Sequence, residues 1–240
     1  NGGSPSYQWN SGGSAISGET SSSYTTSGLT DGESITVTMT ADNTCQTTST
    51  ATSSAIATTV TTIVTPSVSI ASDDADNTIC DGSSVTFTAT PTNGGSPTYQ
   101  WYNTGSSIGG ATSSTYTTSG LTNNQVIACI MTADNSCQSS ATANSNAIAT
   151  QVDAASVGGT LSGTATLCSG TTNTSTLSGN TGSISNWEYN ISGDGGNTFN
   201  GWTNHTAAGT NSSYTLTLSS AYVMKFRVAV QNGVCPSTYS

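Results

Sequence analysis

The chain predicts an all-β fold of tandem immunoglobulin-like β-sandwiches, on three observations. Serine and threonine number 89 of 240 residues, while 32% are hydrophobic and 6% charged. Thr, Val and Ile alternate with polar residues at a period of two, the pattern of strands with one buried face. Residues 1–60 also align without a gap on 93–152, an offset of 92 residues with 38 identities. A period of that length fits a sandwich and not a short solenoid repeat. Abundant Ser, Thr and Gly also suit a disordered tail. Four Trp, nine Tyr and six Cys, set on alternating segments, argue against that. No apolar residues recur at helical spacing.

The repeat divides the chain into three expected domains. Residues 1–64 form an immunoglobulin-like repeat expected to be N-terminally incomplete, since it lacks its neighbour's opening strands. Residues 65–152 form a complete repeat, and 153–240 a divergent one expected to stop short at its C-terminal end. In the complete repeat, strands are predicted at 67–71, 84–90, 98–103, 114–118, 126–132 and 145–152. The turns NGGSP, TGSSIGG and TADNS separate several of them. In the divergent repeat LCSGTTNTSTLSG echoes ICDGSSVTFTATP, NWEY replaces QWY, and VAVQNGVCPS replaces CIMTADNSCQS. Trp9, Trp101 and Trp187 fall where such a sandwich buries its core Trp. On the strand after it, Ile127, Cys129 and Met131 are expected to face the core, as are Ile35, Val37 and Met39 in the first repeat.

Comparing the repeats suggests the cysteine pairing. An early and a late cysteine are common to the units, so Cys80–Cys137 and Cys168–Cys235 are the predicted disulfides. Cys45 takes the late position in the first repeat, where its partner would fall about 12 residues ahead of Asn1. Cys129 has no counterpart and is expected to be a free, buried thiol. Each bridge closes a loop that chain-entropy models value at about 4 kcal/mol, useful in domains with little apolar surface. No C-x-x-C pair accompanies the single histidine, which counts against a metal reading. Disulfides imply an oxidising compartment outside the cytoplasm.

Charge and hydropathy exclude other classes. With Lys225 and Arg227 as its only basic residues and a formal charge of −10, the chain cannot neutralise a row of phosphates, which excludes nucleic acid. No apolar stretch approaches the length of a membrane-spanning helix.

The segment from Cys80 to Tyr102, CDGSSVTFTATPTNGGSPTYQWY, resembles the immunoglobulin-like repeat modules of very large Bacteroidota cell-surface proteins, including gliding-motility adhesins. YTTSGLTNNQVIACIMTADNSC, Tyr116 to Cys137, is similar to the same modules. GGTLSGTATLCSG (Gly158 to Gly170) and NWEYNISGDGGNTF (Asn186 to Phe199) resemble a second repeat type of those proteins. The resemblance implies export through the type IX system and display on the outer cell surface.

Candidate sites are few. His205, on a Thr/Asn-rich stretch, is expected to be a solvated loop residue, and no catalytic triad, nucleophile elbow or paired carboxylates are legible. The segment 192–199 fits the S-x-D-x-G-x-T-[WF] hairpin-turn motif, a structural element. Asp73, Asp74, Asp76 and Asn77 gather oxygen ligands suited to Ca²⁺, with a solvated acidic loop as the alternative. No other cofactor is implied. Trp202 has no counterpart in the other repeats and is a candidate glycan platform near Tyr189 and Phe199. By alternation Lys225 and Arg227 face outward.

These readings converge on a non-enzymatic spacer of a large secreted adhesin or filament, its partners mainly neighbouring repeats of the same chain. The alternative is a carbohydrate-binding region attached to a secreted polysaccharide-degrading enzyme, with surface polysaccharide as partner.

Overall fold

The computed structural model describes residues 3–45, 47–163, 170–192, 196, 198–205, 209–217 and 223–240. All regular structure among them is β, and from residue 65 onward it forms two-layer β-sandwiches in tandem. No helix among the described residues is long and apolar enough to cross a membrane. The chain packs as two compact units. One comprises 1–64 with 136–139, and the other 65–135 with 140–240.

The first unit carries β1 (Ser6–Ser11), β2 (Ser14–Ala15), β3 (Ser34–Thr40), β4 (Thr50–Thr52) and β5 (Ile56–Ala57). They make one sheet in the order β2-β1-β3-β4, with β5 also paired to β3. Trp9 lies opposite Val37. No second sheet faces this one within the unit's described residues, so Trp9, Val37 and Met39 stay half-exposed and Ile35 alone of its hydrophobic residues is buried.

The second unit begins with a two-layer sandwich. Its strands are β6 (Ser67–Ser72), β7 (Thr78–Cys80), β8 (Val85–Thr92), β9 (Thr98–Asn103), β10 (Ser106–Ser107), β11 (Thr115–Thr118), β12 (Gln125–Thr132), β13 (Thr142–Asn144) and β14 (Ile148–Asp153). One layer runs β11-β8-β6 and the other β10-β9-β12-β14-β7, with β13 also on β12. Alternation on β8 and β12 fills the space between them with Val85, Phe87, Ala89, Ile127, Cys129 and Met131 around a fully buried Trp101. β7 was not legible in the sequence. It is three residues long and pairs in parallel with β14, Cys80 opposite Asp153.

A second sandwich follows in the same unit. Its strands are β15 (Thr160–Ser162), β16 (Thr172–Ser178), β17 (Ser183–Ser192), β18 (Thr203–Asn204), β19 (Ser213–Thr217), β20 (Val223–Gln231) and β21 (Thr238–Tyr239), in layers β15-β16-β19 and β18-β17-β20-β21. A bulge between Ile184 and Asn186 resets the alternation of β17. Ile184 and Trp187 therefore both reach the core with Leu177, Val228 and Val230. The same reset puts Asn186, Glu188 and Asn190 on the outer face.

Candidate functional site

The joint between the two sandwiches of the second unit is held covalently. Cys80, at the end of β7, is bonded to Cys235, in the turn after β20. This replaces both predicted pairs, Cys80–Cys137 and Cys168–Cys235; Cys168 itself lies outside the described residues. The reason is β7. Pairing with β14 sets Cys80 beside Asp153, level with the start of β12, whose Gln125 faces Thr150. Cys137 follows the far end of β12. Its eight residues extend about 26 Å at the usual strand rise, whereas a disulfide needs Cα atoms within about 7 Å. Cys45, Cys129 and Cys137 are free thiols, exposed, buried and half-buried respectively.

Hydrogen bonds fix the joint around the bond. Asp81 N donates to Asp153 O at 2.8 Å, continuing the β7–β14 pairing past Cys80. The turn after β20 then grips the connecting residues. Val234 N donates to Asp153 Oδ2 at 3.0 Å, Asn232 Nδ2 to Ala154 O at 2.8 Å and Asn232 N to Ser156 Oγ at 2.9 Å. Gly233 takes φ +50°, and a Cβ there would run into the Asp153 carboxylate, so glycine is required for this approach. The Cys235 side of the bridge is fully buried. Charge, backbone and disulfide together leave the connecting residues little freedom.

A second feature lies on the outer face of the β17–β20 layer. Glu188 stands opposite Arg227, and the Arg227 Nε is 2.5 Å from Glu188 Oε2. The Arg227 guanidinium carbon lies 4.3 Å from the Trp202 ring centroid and 3.9 Å from that of Tyr239, so two rings clasp the cation. Lys225 Nζ sits 4.1 Å from the Phe199 centroid. Asn186 Nδ2 donates to Asn204 Oδ1 at 2.7 Å beside them. Arg227 does face outward, yet half-buried beneath these rings. Trp202 is 39% exposed and Tyr239 45%, but Arg227 already occupies one face of Trp202. On the opposite face of the layer His205 is no free loop residue. Its ring centroid is 4.4 Å from that of Tyr214, and its Nε2 is 2.7 Å from the Tyr214 hydroxyl. Burial, with Tyr189 nearby, raises the Tyr214 hydroxyl's pKa above its ordinary value.

The acidic loop is turned toward its own backbone. Asp73 Oδ1 accepts from Thr86 N at 2.8 Å, and Thr78 N donates to both Asp74 Oδ1 and Asp76 Oδ1 at 3.0 Å. Asn77 has φ +57° between them. This is turn-forming Asx chemistry that leads the chain into β7. Among the described residues no three His, Cys, Asp or Glu side chains gather closely enough to hold a metal. Of the motif at 192–199, Gly193, Asp194, Gly195 and Asn197 lie outside the described residues.

Comparison with known proteins adds little. A family model described as "Domain of unknown function (DUF8696)" matches residues 157–240. Among solved structures, the chain is similar to fibronectin(III)-like modules of Clostridium thermocellum CbhA at 16% identity, over 61% of this chain and 76% of that one, with a TM-score of 0.28. It is similar to the human OSCAR ligand-binding domain at 10% identity, over 72% of this chain and 94% of that one, also with a TM-score of 0.28. At such scores neither likeness carries an argument about function. The comparison with curated proteins found no match.

Proposed function

We propose that this chain is a non-enzymatic structural segment, a stiff spacer within a large secreted adhesin or filament of the cell surface, as its resemblance to Bacteroidota surface repeats implies. One observation carries the reading: the Cys80–Cys235 bond spans 155 residues and joins consecutive sandwiches. Tension applied to the two ends of the chain then enters through residues up to Cys80, crosses the bond and leaves from Cys235. Nearly all of the two sandwiches is bypassed. Such a bypass suits a spacer under load. An extracellular setting agrees with it, because the bond persists only where thiols are oxidised.

Single-molecule extension tests the reading. Oxidised chains should withhold the segment between the two cysteines, and a reductant should release roughly 500 Å of additional contour length. Equal extension in both conditions overturns it. A second reading, a carbohydrate-binding region, draws on the exposure of Trp202 and Tyr239, since aromatic faces stack on sugar rings. Glycan-array binding that disappears in Trp202→Ala would establish that role.

A further inference from the structure

The Cys235 end of the cystine at the joint has a counterpart position at Cys137. Register makes the two late turns equivalent, because Trp101 lies opposite Cys129 and Trp187 opposite Val228. The turn after β12, which carries Cys137, therefore corresponds to the turn after β20, which carries Cys235. In the second case the late cysteine is bonded backward, to the early cysteine of the sandwich before it. Both turns also meet the connecting segment behind them at the same repeat position. Asn232 N donates to Ser156 Oγ. At the 92-residue offset from Ser156, Val64 N donates to Cys137 O at 3.1 Å and Val64 O accepts from Ser139 N at 2.9 Å. Cys137 is a half-buried free thiol held where Cys235 has its partner.

We infer that Cys137 is one half of an inter-repeat cystine, and that its partner is the cysteine of an Ile-Cys-Asp-Gly strand like β7 belonging to the sandwich before it. The late cysteine of each sandwich closes onto the early cysteine of its predecessor, so a tandem is stapled joint by joint. The rule holds for any row of these sandwiches, whatever the row does. Each bond forms between two thiols, which give up two protons and two electrons. Oxidised glutathione accepts them, leaving as two reduced molecules.

The test appends a copy of residues 65–92 directly ahead of Asn1 in the full chain, which supplies counterparts of β6, β7 and β8 and a copy of Cys80 in register. The protein is oxidised with glutathione, its remaining thiols are alkylated, and its cystine peptides are mapped by mass spectrometry. The copied cysteine should be joined to Cys137 at least ten times more often than to Cys45. Preferential joining to Cys45, or a copied cysteine left free while Cys80–Cys235 is intact, overturns the rule. Should the extended protein not fold, the same map of the unextended chain decides. Cys80–Cys235 sustains the rule there, and Cys80–Cys137 or Cys168–Cys235 peptides refute it.

Discussion

The first and second repeats carry nearly the same residues in different surroundings. Their middle hairpins are superimposable in chemistry. Gln8 Nε2 donates to Trp9 O and Ile16 O, and Gln100 Nε2 to Trp101 O and Ile108 O, at 2.8 to 2.9 Å. The Trp9 indole donates to Ser21 O and the Trp101 indole to Ser113 O, both at 2.9 Å. Even the aromatic neighbour recurs, with Trp9–Tyr24 at 5.7 Å and Trp101–Tyr116 at 5.9 Å. Burial does not recur. Trp101 is fully enclosed, with Phe87 of β8 at 6.4 Å, while Trp9 stays half-exposed. Local sequence builds the clasp; the opposing β11-β8-β6 layer turns it into a core.

The sharpest way to break this comparison is to truncate both indoles. Trp101→Ala should destabilise the second unit by about 4 kcal/mol, the usual cost of emptying a buried aromatic site. Trp9→Ala should cost roughly half as much, since that indole is already partly exposed. Denaturant melts resolved by hydrogen exchange distinguish the units, and equal costs would refute the contrast.

Removal of the staple comes next. Cys80→Ser with Cys235→Ser should lower the stability of the second unit by about 2–4 kcal/mol and leave amide exchange in β1–β5 unchanged. A parallel loss in the first unit would show that the staple serves both.

Cys129 separates the repeats by pH, because the first has Val37 at that place. Burial is the main cause that pushes the Cys129 thiol up to about 11, from an ordinary 9.0. A raised thiol pKa means that the folded state holds its proton longer than the unfolded state does. The resulting stability is complete below pH 9 and drains away as pH climbs through 9 toward 11. Cys129→Val should flatten that limb of the stability curve, and iodoacetamide at pH 8 should label exposed Cys45 far faster than Cys129. An unaltered limb would assign the alkaline loss to other groups.

Smaller and equal effects are expected where the repeats agree. Asp42 Oδ1 accepts from Ser4 N and Asp134 Oδ1 from Ser96 N, so Asp42→Ala and Asp134→Ala should each cost about 1 kcal/mol. Millimolar Ca²⁺ should leave Tm unchanged, because Asp73, Asp74 and Asp76 already accept backbone hydrogen bonds.

Much of the fold was legible because strand alternation and turn residues act over a few positions. The predicted segments 98–103 and 126–132 nearly coincide with β9 and β12, and the Ile127, Cys129, Met131 face is the core face. Shorter pieces escaped notice. Neither β7 nor β13 is long enough to show a period, and missing β7 misdirected both predicted disulfides. The bulge in β17 was equally silent, since one inserted residue changes no composition yet decides that Glu188 meets Arg227. His205 read as a solvated residue because its partners Tyr189 and Tyr214 come from strands on either side of it.

By itself the sequence determined that this protein is a β-repeat: hydrophobic alternation, Asx and Gly turns and the Trp hairpin are short-range, and each copy of the residues reproduces them. Tertiary structure alone decided which tryptophan is enclosed and which cysteines meet. Both depend on strands distant along the chain being brought side by side, and no local pattern encodes that approach.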